Sequence, residues 1–100
     1  MEQIERIRQM EQIFDRAEAA VSALRRTMEV YRELEPELKR LEAYYENGLW
    51  QRDFQDDEAG KIPAELKRGV LSEDGVWNLL IDRDAMQAEL LEWAEKLKNP

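Results

Sequence analysis

From Glu2 to Leu34 the chain has neither glycine nor proline, and its apolar residues recur on a strict seven-residue pattern. Ile7, Phe14, Val21 and Met28 fall in one register, and Met10, Ala17, Leu24 and Tyr31 in the other. These are the a and d positions of four heptads, the periodicity of an α-helix with one apolar seam. No strand alternates in this way, so the N-terminal third is helical. Ile4, Ile13 and Ala20 widen the seam. A wider stripe suits a bundle with more than one neighbour better than a bare two-stranded coil.

Pro36 interrupts the run, because a proline ring clashes with the preceding turn and disfavours helix at the residue before it. The pattern resumes with Leu38, Leu41, Tyr44 and Tyr45. The spacing predicts a kink or tight break at 34–36, with Pro36 at the first position of a second helix. Asn47-Gly48 should end that helix through a left-handed residue. Trp50 and Phe54, four apart, predict one or two helical turns ending before Gly60. "IPAELKRG" has the signals of a miniature helix: Pro63 in its first turn, Lys67 and Arg68 at its negative end, and Gly69 as the stop. From Ser72 to about Lys98 a long helix is expected. Ser72 is its N-cap, Glu73 and Asp74 complement its first turn, and Leu71 and Val76 form a hydrophobic staple. Its apolar face is Val76, Leu79, Leu80, Met86, Leu90, Trp93, Ala94 and Leu97.

The expected fold is therefore all-α and a single domain over 1–100. A long antiparallel helical hairpin, made of the N-terminal heptad helix and the C-terminal helix, is closed at one end by short helices and the kink at Pro36.

Composition narrows the function. Twenty-three acids against 15 bases leave a net charge of −8, which disfavours nucleic acid and an anionic membrane surface. At 43% apolar the chain is too hydrophobic for a disordered one. It has no cysteine, hence no disulfide, thiolate nucleophile or thiolate zinc site. It has no histidine either, the commonest general base and metal ligand. The N-terminus does not resemble a signal peptide, and no run approaches a membrane span. A cytoplasmic location is the expectation, with no cofactor.

The tract "YYENGLWQRDFQDDEAGKIPAELKRGVLSEDGVWNLL", preceded by a long charged helix, resembles a family of small uncharacterised bacterial helical proteins, a domain of unknown function. Tyr44, Tyr45, Trp50, Asp53, Gly60, the Leu66–Gly75 run and Asn78 carry the resemblance. It implies an all-helical fold in a bacterial cytoplasm and implies no activity.

Three groups of residues could carry function. The first is acidic: Glu42, Glu46, Asp53, Asp56, Asp57 and Glu58 are six acids in 17 residues. Glu46, Asp53, Asp56 and Asp57 are the candidates for a magnesium or manganese site, as in a metal-dependent hydrolase. The plainer reading is a solvated edge with aspartates capping turns. The second is an anion site at Lys67, Arg68 and the Ser72 helix start. Glu73 and Asp74 would repel an anion there. Gly75 stands out in it, since glycine at the third position of a helix costs about 1 kcal/mol against alanine. A close approach by Tyr44, Tyr45 or Trp50 would account for it. The third is aromatic: Tyr44, Tyr45, Trp50, Phe54 and Trp77, either the core of the elbow or a partner surface. Asn78 has no evident structural task. Ser22, Ser72 and Thr27 lack a histidine to activate them. Non-enzymatic protein–protein interaction is the leading expectation, as an adaptor or regulator. A homodimer would cover the heptad stripe that one short chain leaves bare.

Overall fold

The structure, a computed structural model, describes residues 2–100. It contains three α-helices: α1, Gln3–Glu46; α2, Leu49–Glu58; and α3, Gly75–Lys98. A 3-10 turn, Gly69–Leu71, precedes α3. There is no strand among the described residues. The all-helical fold, with long N- and C-terminal helices and a short helix between them, is the one the periodicity called for.

The chain divides into two compact units, one ending at Lys39 and the other comprising Arg40–Pro100. The first is a stretch of α1 with no buried residue. Arg8 pairs with Glu5 one turn away at 3.2 Å, and the Thr27 hydroxyl donates to the Ala23 carbonyl at 3.0 Å. The heptad positions face solvent: Ile7, Met10, Phe14, Val21, Leu24 and Met28 are 45–59% exposed.

Pro36 does not end the helix. It lies inside α1, which runs on to Glu46 as one element, so there is no break at 34–36 and no separate second helix. A mid-helix proline removes one backbone hydrogen bond and costs about 3 kcal/mol. Good helix formers on both sides (Glu33, Leu34 and Glu35 before it, Glu37 to Leu41 after) carry the helix across that one missing bond.

The second unit holds the core: Trp50, Leu71, Val76 and Leu80. Gly48, at φ +95°, stops α1 as expected, with the Asn47 N–H on the Ala43 carbonyl at 2.9 Å. The same dipeptide starts α2, because Asn47 Oδ1 accepts the Leu49 N–H at 3.0 Å and the Gly48 carbonyl accepts the Arg52 N–H. α2 ends in a Schellman motif. Gly60, at φ +77°, donates to the Asp57 carbonyl, and Lys61 donates to that of Asp56.

Residues 61–68 form no miniature helix; they hold one turn, closed by the Leu66 N–H on the Pro63 carbonyl at 3.1 Å. So short a helix does not recover its nucleation cost, and the chain is drawn back to α2 by Arg68 and Val70 instead. Gly69 is not a left-handed stop but the first residue of the 3-10 turn. Ser72 is not the cap of α3. Its hydroxyl donates back to the Gly69 carbonyl at 2.8 Å, and the helix starts three residues later, with Asp74 in the cap position. Glu73 and Asp74 thus lie outside the first turn, and Leu71 and Val76, no longer at staple positions, are both buried in the core.

Candidate functional site

The sequence candidates converge on the elbow of the second unit, formed by the end of α1, α2, the 3-10 turn and the start of α3. Trp50 is its centre. Phe54, one helical turn along α2, stacks on it at 5.0 Å and 19°, and Tyr45 from α1 meets it at 4.9 Å with planes tilted by 59°. Its indole Nε1–H donates to the Val70 carbonyl at 2.8 Å, which fixes the 3-10 turn on α2. A buried indole needs such an acceptor, and here the backbone supplies it.

Tyr44 reaches from α1 to α2, its hydroxyl donating to Asp53 Oδ2 at 2.6 Å. Burial, then the hydrogen bond to Asp53 and the charge on that carboxylate, push the Tyr44 pKa from 10 up to about 12. Tyr44 is therefore a fixed donor at any ordinary pH, not a general base.

Asp53 accepts from Tyr44, Asp57 accepts from Arg68 at 2.5 Å, and Asp56 lies 3.8 Å from Lys61. Glu46 is exposed at the end of α1. Glu46, Asp53, Asp56 and Asp57 do not gather, and no three acids are placed to hold a metal ion among the described residues. The anion site proposed at Lys67, Arg68 and Ser72 does not assemble either. Arg68 is committed to Asp57, the Ser72 hydroxyl to Gly69, and α3 opens at Gly75 behind Asp74.

The aromatic group divides. Trp50 is core, half-buried Tyr45 and Phe54 pack on it, Tyr44 is a strut, and Trp77 stands 54% exposed on α3. Trp77 and Tyr45 flank a shallow groove of about 280 Å³ together with Glu42 and Arg83. Gly75 is a close approach, but not to an aromatic ring: a Cβ there would collide with Ser72 Oγ and lie 3.2 Å from the Gly69 carbonyl oxygen. It is the first residue of α3, not the third. Lys67 and Asn78 are exposed.

Arg83 was not among the sequence candidates. It ties α3 to the end of α1 through Glu42 at 2.5 Å and also holds Asp84 at 3.0 Å. Those hydrogen bonds, to Glu42 first and then Asp84, raise its pKa above the usual arginine value. The clue in the sequence is its place: seven residues after Val76 and three after Leu80, a base stands where the apolar stripe of α3 continues.

Fold and elbow together define a small all-helical protein in which Tyr44–Asp53, Arg68–Asp57 and Arg83–Glu42 fasten one element to another. The chain belongs to the family described as domain of unknown function DUF4298, whose model matches residues 7–93. No curated protein and no solved structure matches it. Among the described residues, no helix is long and apolar enough to cross a membrane.

Proposed function

We propose that this protein works by binding another protein rather than by catalysis, as an adaptor or regulator in the bacterial cytoplasm. The heptad face of α1 before Lys39 is its contact surface. One observation carries the reading: six large a and d side chains of that face are 45–59% exposed in a single chain. A contiguous apolar row of this kind is costly to leave in water and marks an interaction site. The aromatic elbow is the weaker candidate surface, since Trp50 is buried and its neighbours pack on it. The fastening of Asp53, Asp57 and Glu42 to Tyr44, Arg68 and Arg83 favours a structural role for the acids. The bacterial setting rests on the family resemblance.

The test is photocrosslinking in cells from a reactive residue placed at Ala20, beside the stripe. The native chain should give discrete protein adducts, either with itself or with another protein. Phe14→Glu with Leu24→Glu should abolish them all while the fluorescence of the three tryptophans, all in the second unit, stays native. Adducts that survive the double substitution overturn the reading.

A further inference from the structure

The residues flanking the apolar row differ on its two sides. With Ile7 as an a position, the g side carries Arg6 and then four uncharged residues, Ile13, Ala20, Thr27 and Leu34, three of which widen the apolar stripe. The e side is charged and sorted by sign: Glu11 and Glu18 in the first half, Arg25 and Arg32 in the second. All four are exposed, and none joins an ion pair within the chain among the described residues.

We infer that a second copy of this chain covers the stripe, running antiparallel, in the register that sets Val21 against Leu24 of its mate. The inference rests on the interaction reading above and names its partner. In an antiparallel pair the e side of one helix faces the e side of the other, so a sign-sorted row is complementary to itself when reversed. In this register Glu18 faces Arg25, and Glu11 faces Arg32, each twice across the two-fold axis. Ala17 then packs against Met28 in the next layer.

The alternatives lose this match. Sliding by one heptad in one direction sets Glu18 against its own copy; sliding in the other sets Arg25 against its own copy. A parallel, in-register pair brings g opposite the following e, and Arg6 with Glu11 is then its only charged match. Pro36 falls at a b position, on the side away from the seam, where its missing N–H and its ring do not obstruct a partner.

Two sets of full-length variants test the register. Glu11→Arg with Glu18→Arg makes these four e positions all basic, and Arg25→Glu with Arg32→Glu makes the four all acidic. By sedimentation each variant alone should dimerise roughly tenfold or more weakly than the native chain, and an equimolar mixture should regain native affinity. Because the chain has no cysteine of its own, Glu18→Cys and Arg25→Cys variants report geometry directly. With a short bismaleimide the mixture of the two should crosslink, and neither should crosslink alone. Self-crosslinking of either single variant overturns the register but leaves the interaction reading intact. A native chain monomeric at all concentrations overturns the dimer. The interaction reading falls with it only if the stripe also yields no adduct in cells.

Discussion

Tyr44 on α1 and Asp53 on α2 are joined by a 2.6 Å hydrogen bond across the Asn47-Gly48 joint, which fixes the angle at which the two helices meet. The bond needs the phenol protonated. The folded-state pKa of about 12 lies above the ordinary 10, so its contribution is complete below pH 10 and is lost as the pH rises through about 12. Tyr44→Phe should cost about 1 kcal/mol at neutral pH. Its melting temperature should fall less steeply than that of the native chain between pH 10 and 12. Parallel melting curves for the two proteins across that range would contradict the assignment.

Trp50 joins Tyr45, Phe54 and the Val70 carbonyl in the second unit. Trp50→Phe keeps the stack on Phe54 but removes the donor to the Val70 carbonyl, and should cost about 1–2 kcal/mol. Trp50→Ala should cost about 3–5 kcal/mol, enough to unfold a unit this small. Thermal melts followed by circular dichroism separate the two. Equal losses would mean that the hydrogen bond, not the packing, dominates.

Gly75→Ala introduces a Cβ that Ser72 Oγ already obstructs. Alanine is the better helix former, yet the change should destabilise by about 1 kcal/mol, because Ser72 must rotate off the Gly69 carbonyl. In a Ser72→Ala background the penalty should shrink, since the Ser72 Cβ itself lies at an ordinary 3.8 Å. A double-mutant cycle in chemical denaturation measures the coupling, and independence of the two sites would rule out the contact as the cause.

Pro36→Ala should strengthen α1 by up to about 3 kcal/mol locally, by restoring one backbone hydrogen bond. Amide exchange should slow most around residues 32–40. Unchanged exchange there would mean that the helix pays nothing for its proline.

Arg83→Ala should lower the melting temperature, and more so at low salt, because the side chain binds Glu42 at the end of α1. A reversed pair, Glu42→Arg with Arg83→Glu, should recover part of the loss. A melting temperature that does not respond to Arg83→Ala would show the ion pair to be dispensable.

Where the physics is local, the sequence alone determined the outcome. Heptad spacing set the helix of the N-terminal third; of the apolar face expected on α3, Val76 and Leu80 are buried, whereas Leu79, Leu90, Trp93 and Leu97 stay exposed. Gly48 and Gly60 set two helix ends, because positive φ is a property of one residue and its immediate neighbours. Tertiary structure decided what distant groups compete for. Ser72 has the character of an N-cap, but the Gly69 carbonyl takes its hydroxyl, and α3 starts at Gly75. Residues 61–68 read as a helix, but Arg68 is held by Asp57 and Val70 by Trp50, and one turn is all the span allows. Arg83 carries no local signal of a role, but Glu42, far away in sequence, makes it a strut between helices. Propensity acts over a few residues at a fraction of a kcal/mol each, and a fixed tertiary contact of about 1 kcal/mol or more overrides it wherever the two disagree.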